Sequence, residues 1–285
     1  MIRQITIIGT GLIGGSLALA LRKRGFGGSI VGCDTAPVLE RARKMRAIDL
    51  GVVDPVHAAR GSDVVVLAVP VGTIVDLVRL LGPGLSGTAL LTDVGSTKVA
   101  VMKAAAAAFG KQTGKRFLAS HPMAGKENSG MEAADARLFE DAAWFITPFL
   151  DQNILTGKCR EWISWMGKIG ARVAPMDAQQ HDRLCAWISH LPQMISTGLA
   201  AALVEEFGTE LPLLEAGGRA LREMTRISAS PYSMWRDIAL TNKKHLSRAL
   251  LQMEQKLAHI RENLGSRELA AEFEVAHRLK RTKDR

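Results

Sequence analysis

The glycine pattern G-x-G-x-x-G, formed by Gly9, Gly11 and Gly14, stands between two contrasting apolar segments. Residues 4–9 are typical of a buried strand, and residues 12–25, rich in Ala and Leu, predict a helix. In this context the first glycine permits a tight turn, the second lets backbone approach a pyrophosphate, and the third lets the helix pack on the strand. The unpaired N–H groups of the first helical turn would then face the phosphates. The pattern favours a dinucleotide-binding loop over its alternative, a turn that is merely rich in glycine.

An acidic residue at the end of the second strand-like run bears on the choice of dinucleotide. Residues 29–34 end at Asp34, about 20 residues beyond Gly14, the distance at which a carboxylate meets a ribose 2′-hydroxyl. Its charge would repel a 2′-phosphate, so NAD is favoured over NADP. The alternative is that Asp34 only caps the helix that begins near Pro37.

Strand-like and helix-like segments alternate through the first half of the chain. The predicted strands are 4–9, 29–34, 63–70, 88–94, 116–120 and 142–148, and the predicted helices between them are 12–25, 37–46, 74–81 and 97–109. This alternation predicts an α/β fold, a Rossmann-type doubly wound parallel sheet with helices on both faces. Ligands bind beyond the carboxyl ends of such strands. The predicted cofactor-binding residues are therefore Gly9, Gly11, Leu12, Ile13, Gly14, Asp34, Val69, Pro70 and Asp93.

The strand signal stops near residue 175, and the rest of the chain reads as all-helical. Asp177 can cap a helix that runs over 178–191 and, after a kink at Pro192, continues to about residue 207. From Trp235 onward, an apolar face at spacings of three and four predicts a long helix through Leu250, Met253, Leu257, Ile260 and Leu264. We predict two domains, 1–172 for the dinucleotide and 173–285 for substrate binding and dimerisation, with the apolar face at the core of a homodimer.

Composition excludes several other classes of protein. The chain has 285 residues, 47% of them hydrophobic, and no apolar run long enough to span a membrane. Its first residues read as a strand rather than a signal peptide, and its three cysteines are unclustered, so we expect a cytoplasmic protein without disulfides or a zinc site. The net charge of +9 is spread along the chain and aromatic residues are only 5%, which argues against a nucleic-acid binder.

Several motifs occur along the chain: GTGLIGGS at 9–16, DVGSTK at 93–98, HPMAGKE at 121–127, SHLP at 189–192, TRISAS at 225–230 and MWRDI at 234–238. Together they resemble one family, the prephenate and arogenate (cyclohexadienyl) dehydrogenases of tyrosine biosynthesis. The resemblance covers nearly the whole chain in the same order. It implies an NAD-dependent oxidative decarboxylation of a small-molecule substrate, prephenate or arogenate, to 4-hydroxyphenylpyruvate or tyrosine.

The resemblance also assigns roles to individual residues. His121 would be the catalytic base that takes the proton of the substrate 4-hydroxyl, and Ser96 would orient it; the alternative for Ser96 is a helix cap. Arg226 would bind a substrate carboxylate, although an ion pair with Glu223 is an alternative. The remaining predicted substrate-binding residues are His190, Gln193, Glu127 and Trp235.

Two of these residues carry further alternatives. His190 could instead be a packed histidine at the helix bend. Gln193 stands where several family members have a second histidine, and an amide can both donate and accept hydrogen bonds, which weakens the case for strict use of prephenate.

No family site matches His57, His181, His245, His259 or His277, so these are expected to be structural or solvated, and no metal site is predicted. The competing functions are a β-hydroxyacid dehydrogenase or imine reductase of the same two-part plan, and a non-catalytic NAD-sensing protein.

Overall fold

A computed structural model describes residues 1–85, 87–126, 128–150, 152–209 and 212–281. Its first half is built on one eight-stranded sheet with the strand order β3-β2-β1-β4-β5-β6-β7-β8. The strands are β1 (Gln4–Ile8), β2 (Ser29–Cys33), β3 (Leu50–Val52), β4 (Val64–Leu67), β5 (Leu90–Asp93), β6 (Phe117–Pro122), β7 (Ala143–Thr147) and β8 (Arg172–Pro175).

Helices cover the sheet and then make up the second half of the chain. Those of the first half are α1 (Leu12–Lys23), α2 (Ala36–Lys44), α3 (Pro55–Ala59), α4 (Val71–Leu81), α5 (Val99–Phe109), α6 (Thr113–Arg116) and α7 (Gly157–Lys168). Those of the second half are α8 (Ala178–Cys185), α9 (Leu191–Phe207), α10 (Leu213–Ala216), α11 (Gly218–Thr225), α12 (Tyr232–Thr241), α13 (Lys243–Glu262) and α14 (Arg267–Arg281). The predicted α/β half followed by an all-helical half is confirmed.

The central strands are apolar on both faces because helices cover both sides of the sheet. Every residue of β4 is buried, and alternate residues of β1 and β4 contribute to two separate hydrophobic cores, one on each face. The strand order reverses at the β1–β4 pair, since β2 and β3 lie to one side and β4 to β8 to the other. This reversal opens a crevice at the carboxyl ends of β1 and β4, the usual position of a ligand in such sheets.

The sheet departs from the prediction in three strands. β3 and β8 were missed because they lie at the two edges of the sheet and none of their residues is fully buried, so they lack the apolar run of a central strand. β7 runs antiparallel to β6, so the sheet is not parallel throughout. In the described part of the chain between them the only helical segment is a short 3₁₀ turn, Met131–Ala133, which is too short for the helical crossover that a parallel neighbour requires.

The helical half also differs from a simple reading of its pattern. Asp177 caps α8 as predicted, accepting hydrogen bonds from the N–H groups of Gln179 and Gln180. The irregularity expected at Pro192 lies instead just before it, as a π-helical turn at Ala186–His190 that leads directly into α9. The predicted long helix is interrupted at Asn242, which separates α12 from α13.

None of the helices in the described ranges is long and apolar enough to cross a membrane.

Candidate active site

The glycine loop after β1 has the steric features of a phosphate-binding turn. Gly9 has a φ of +91°, and its N–H donates to the carbonyl of Cys33 at 2.8 Å, which ties the loop to the end of β2. A Cβ atom on Gly14 would stand 1.9 Å from the carbonyl oxygen of Gly9, so only glycine lets α1 approach β1 this closely. Both glycines therefore fix the position of the helix start.

Gly11, in contrast, faces open space. It forms the N-cap of α1, and no atom of the described chain lies within 4 Å of the position that its Cβ would occupy. A cavity of about 400 Å³ begins here and runs between the sheet edge and α12. Its lining includes Gly11, Leu12, Ile13, Val69, Pro70 and Ser96 from the first half, and Ser230, Pro231, Ser233, Met234 and Ile238 from the second.

The two predicted acidic contacts of the cofactor have different surroundings. Asp34 is half-buried, and its carboxylate accepts hydrogen bonds from the N–H groups of Thr10 at 2.8 Å and Thr35 at 2.7 Å. It thus stands beside the glycine loop with part of its acceptor capacity unused. Asp93 is fully buried and its carboxylate accepts from Lys98 and from the N–H groups of Gly95 and Ser120, so its side chain supports the sheet edge from behind the cavity.

A buried lysine holds the end of β6, the strand that carries His121. Lys98 is fully buried, pairs with Asp93, and donates from Nζ to the carbonyl of Ser120 at 2.7 Å. Because Ser120 directly precedes His121, this contact fixes the backbone from which the imidazole projects.

His121 contacts a second histidine that comes from the helical half. The Nδ1 atom of His121 lies 2.9 Å from Nε2 of His181, on α8, and the Nδ1 atom of His181 lies 2.8 Å from Oδ1 of Asp182. The Asp182 carboxylate also accepts from the N–H groups of Lys98 at 2.7 Å and Val99 at 3.0 Å, at the start of α5. Asp182 therefore joins the two halves of the chain as well as orienting His181.

The hydrogen-bond partners determine where each proton lies. An ionised Asp182 can only accept, so His181 donates from Nδ1 and its Nε2 atom is an acceptor. His121 then donates from Nδ1 to His181, which leaves Nε2 of His121 as an unprotonated nitrogen. This is the tautomer that a general base needs.

Burial keeps this group of side chains neutral. Removal from water lowers the pKa of His121 well below its ordinary value of 6.5. Electrostatic repulsion between a protonated His121 and the neighbouring His181 and Lys98 lowers this pKa further. Burial also lowers the pKa of His181, although the hydrogen bond to Asp182 opposes the effect. On the same helix, burial raises the pKa of the Cys185 thiol to about 12.

Cys185 completes a compact cluster with the two histidines. Its Sγ atom lies 3.4 Å from Nε2 of His181 and 3.9 Å from Nδ1 of His121. His181 and Cys185 are four residues apart on α8 and so share a helix face. All three side chains are buried, and of these three only His121 has exposed surface, 8% of the residue.

His190 and Trp235 contribute buried hydrogen-bond donors. The Asn242 amide donates to the carbonyl of Asp182 at 2.7 Å and to Nδ1 of His190 at 3.2 Å, so His190 carries its proton on Nε2. In the described part of the chain no partner binds Nε2 of His190 or Nε1 of Trp235, and both atoms are buried. A buried donor without a partner is costly, so two of them with rings 6.0 Å apart indicate a place where a ligand supplies acceptors.

Gln193 binds the short 3₁₀ turn Arg226–Ala229, which begins at Arg226. The Gln193 amide donates to the carbonyl of Ile227 at 2.9 Å and to Thr197 at 3.2 Å. Arg226 is exposed at the start of this turn, and Glu223, its predicted alternative partner, forms an ion pair with Arg219 at 2.7 Å. Glu127 lies outside the described residues.

The sequence interpretation gave His181 no role in the site. We expected a structural or solvated histidine, whereas His181 is the direct hydrogen-bond partner of His121. The pair was missed because 60 residues separate the two rings, and because Cys185 was not weighed together with histidines. The available signal was the His181-Asp182 pair followed by a cysteine at helical spacing.

Two models of one protein family together match most of the chain. Residues 17–174 match the family model described as prephenate dehydrogenase, nucleotide-binding domain, and residues 177–277 match prephenate dehydrogenase, dimerization domain. This chain belongs to the prephenate dehydrogenase family. The junction of the two matches lies between β8 and α8.

Individual members of the prephenate dehydrogenase family are similar over most of the chain. Prephenate dehydrogenase of Lactococcus lactis is 32% identical over 89% of this chain and 72% of its own length. Cyclohexadienyl dehydrogenase of Zymomonas mobilis is 31% identical over 93% of this chain and 90% of its own length. The crystal structure of prephenate dehydrogenase from Aquifex aeolicus, in complex with hydroxyphenyl propionate and NAD⁺, is 31% identical with a TM-score of 0.83, covering 99% of this chain and 96% of that one.

Proposed function

We propose that this chain is an NAD-dependent dehydrogenase that oxidatively decarboxylates prephenate and arogenate, with His121 as the base. The observation that carries the proposal is the hydrogen-bonded series from Asp182 through His181 to His121. It supplies a neutral imidazole whose Nε2 atom accepts a proton, at the sheet edge where a dinucleotide would be bound. The match to both domains of the prephenate dehydrogenase family supports the same assignment.

The residues around the glycine loop fit NAD. Open space at Gly11 allows a pyrophosphate to approach the N–H groups of Leu12 and Ile13, and Asp34 retains acceptor capacity for ribose hydroxyls. A negative side chain at this position disfavours the additional phosphate of NADP. NAD⁺, when bound there, supplies the hydride acceptor.

The protein's part in the reaction is to move one proton and to hold the substrate. His121 takes the proton of the substrate 4-hydroxyl at Nε2 as the C4 hydride leaves and a carbonyl forms at C4. The bond from C1 to its carboxylate then breaks, carbon dioxide leaves, and the electron pair enters the ring, which becomes aromatic. The resulting phenolate oxygen takes a proton back, so His121 returns to its neutral form. Ser96 would position the 4-hydroxyl from the cavity wall that it lines.

The substrate carboxylates require cations and donors. Arg226 offers a planar, two-pronged donor for a side-chain carboxylate. The buried N–H groups of His190 and Trp235 would find in the substrate the acceptors that they lack within the described chain.

Gln193 supports use of arogenate in addition to prephenate. Its amide nitrogen donates to Ile227 and Thr197, so the part of the side chain that can still serve a ligand is the carbonyl oxygen. An acceptor suits the ammonium group of arogenate, whereas the keto group of prephenate has no hydrogen to donate. We therefore expect turnover of both substrates rather than of prephenate alone.

The exposed apolar face of the helical half supports a homodimer. Leu250, Leu257 and Leu264 remain 39%, 52% and 66% exposed in the single chain. The region matched as a dimerization domain, residues 177–277, contains this face. A second copy that covers it would remove a large apolar surface from water.

A steady-state assay tests the function directly. The purified chain is mixed with prephenate or arogenate and with NAD⁺ or NADP⁺, and NADH or NADPH formation is followed by absorbance. We expect turnover of both substrates with NAD⁺ and a lower kcat/KM with NADP⁺. Absence of turnover with both substrates would overturn the proposal, and activity only on 3-hydroxy acids would favour a β-hydroxyacid dehydrogenase.

A further inference from the structure

We propose that His121, His181 and Cys185 form a binding site for a thiophilic divalent cation such as Zn²⁺. Metal binding there would inhibit the enzyme by reversing the tautomer of His121. The first statement depends only on the geometry of the three side chains, and the second also rests on the proposed function.

The three ligand atoms have the separations of one face of a tetrahedral metal centre. With Zn–N distances of about 2.0–2.1 Å and a Zn–S distance of about 2.3 Å, tetrahedral geometry places two nitrogens about 3.3 Å apart and a nitrogen and a sulfur about 3.6 Å apart. The observed N–N distance is 2.9 Å, and the two N–S distances are 3.4 and 3.9 Å. Each differs from the ideal by about 0.4 Å or less, which small rotations of the side chains can accommodate.

A carboxylate already supports one of the ligands. Metal-bound histidines commonly donate their second N–H to a carboxylate, which fixes the ring orientation and makes the ligating nitrogen more basic. His181 makes this contact with Asp182 at 2.8 Å, and its Nε2 atom is the nitrogen left for the metal. Asp182 is itself held by the N–H groups of Lys98 and Val99. The orientation of His181 is therefore set in advance of metal binding.

The charges around the cluster also suit a divalent cation. The ionised groups that act on these three side chains are Asp93 and Asp182, which are negative, and Lys98, which is positive. Their sum is one negative charge. Zn²⁺ with the Cys185 thiolate adds one positive charge, so the occupied site would be neutral overall. This balance limits the cost of placing an ion in a buried position.

Metal binding rearranges two protons. The Cys185 thiol loses its proton to solvent as the sulfur–metal bond forms, a step favoured by the metal although burial raises the pKa of the free thiol. His121 must present Nδ1 to the metal, so its proton moves from Nδ1 to Nε2. The nitrogen that would accept the substrate proton then carries a hydrogen, and the base is blocked. A water molecule would complete the coordination.

Cobalt substitution tests the site without any assay of activity. Co²⁺ is added to the full-length, metal-free protein, and the near-ultraviolet absorption that arises from thiolate-to-Co²⁺ charge transfer is recorded. We expect this band in the unmodified chain and in Cys159→Ser, a matched control because Cys159 is also a buried free cysteine. We expect its loss in Cys185→Ser. No band in the unmodified chain, or a band that persists in Cys185→Ser, would overturn the metal site.

Separate control experiments test the folding of the variants and the effect of zinc on activity. Circular dichroism and thermal unfolding of Cys185→Ser and Cys185→Ala identify any loss of structure, and the smaller alanine provides a second variant if serine is not tolerated. Zn²⁺ is then titrated into the dehydrogenase assay. We expect reversible inhibition that a chelator relieves and that is at least tenfold weaker in Cys185→Ser than in Cys159→Ser. Cobalt binding without zinc inhibition would refute the inhibitory role and retain the site, whereas an inactive chain that gives the cobalt band would refute only the proposed function.

Discussion

The Nδ1 atom of His121 lies 2.9 Å from the Nε2 atom of His181, although the two residues belong to different halves of the chain. The contact gives His121 an acceptor for its Nδ1 proton. In the same way, the Asp182 carboxylate accepts the Nδ1 proton of His181. The proposed base and the residue that sets its tautomer are therefore separate residues, and they can be tested separately.

Replacement of His181 tests the positioning role. In His181→Leu the acceptor for Nδ1 of His121 is lost, so we expect kcat to fall by about 10²-fold while NAD⁺ affinity stays near normal. His181→Gln retains an amide oxygen as acceptor and should recover part of kcat. Equal losses in the leucine and glutamine variants would indicate a packing role instead. Single-turnover kinetics and NAD⁺ titration by fluorescence separate these outcomes.

Replacement of His121 tests the base itself. His121→Asn cannot take the proton of the 4-hydroxyl, and we expect kcat to fall by about 10²–10⁴-fold with little change in NAD⁺ affinity. The pH profile of kcat should also lose the limb that reports protonation of the base. A variant that keeps both its rate and its pH profile would remove His121 from the reaction.

Arg226 is expected to act through substrate affinity. In Arg226→Gln the loss of a charge-assisted hydrogen bond, worth about 1.5–3 kcal/mol, should raise KM by roughly 10- to 100-fold and leave kcat largely unchanged. Arg219→Gln is the matched control, because Arg219 is another exposed arginine of the helical half and its replacement removes the same charge. An unchanged KM in Arg226→Gln, or an equal rise in both variants, would exclude the carboxylate role.

The glycine loop offers a pair of substitutions with opposite consequences. In Gly14→Ala the new Cβ would meet the carbonyl oxygen of Gly9 at 1.9 Å, and we expect destabilisation at or above the upper end of the roughly 1–3 kcal/mol that overpacking costs. In Gly11→Ala the Cβ points into open space, so stability should be retained while KM for NAD⁺ rises by roughly tenfold, about 1.4 kcal/mol of binding. Urea unfolding and NAD⁺ kinetics of the two variants would show whether fold and cofactor binding separate in this way.

His190 is expected to make stability depend on pH. Burial lowers its pKa from 6.5 to about 4, so between these values the unfolded chain binds more protons than the folded one. The free energy of unfolding should therefore rise with pH across this window. His190 alone should contribute roughly 3 kcal/mol of stability above pH 6.5, and this contribution should disappear as the pH falls to about 4. The lowered pKa values of His121 and His181 act in the same direction.

Denaturant unfolding at a series of pH values measures this dependence. His190→Asn should flatten the curve between pH 4 and 6.5, whereas His277→Asn, at an exposed position, should leave it unchanged. A curve for His190→Asn that matches that of the unmodified chain would contradict the assignment.

Local patterns were sufficient to predict β1, β4 and α1, because their signals are continuous apolar runs, but α7, a helix of 12 residues, was not predicted. They were insufficient for β3 and β8, whose few residues at the sheet edges carry almost no periodicity. They were also insufficient for the π-helical turn at Ala186–His190 and for the antiparallel direction of β7, since both depend on how distant segments pack. Short-range signals thus identified strands and helices, whereas tertiary contacts decided the direction of β7 and the π-helical turn.

The same distinction applies to the candidate site. His121, Ser96 and Arg226 belong to recognisable motifs, and the glycine loop and Asp34 could be predicted from their spacing along the chain. The partnership of His121 with His181, and the support of Ser120 by Lys98, arise only when strands and helices are brought together. Their residue types are ordinary in isolation, so the sequence pattern alone did not distinguish them from structural residues.

The Asp182 carboxylate spans the junction between the two halves, and this has a consequence for the evolution of the chain. An isolated nucleotide-binding half would keep the glycine loop and His121 but lose the acceptor that orients the imidazole. We expect that recombination of this half with an unrelated helical half would give a protein that binds the dinucleotide but lacks the acceptor for the Nδ1 proton of His121. We therefore expect the two halves to be inherited together, because Asp182, which orients His181, is encoded in the half that lacks the glycine loop.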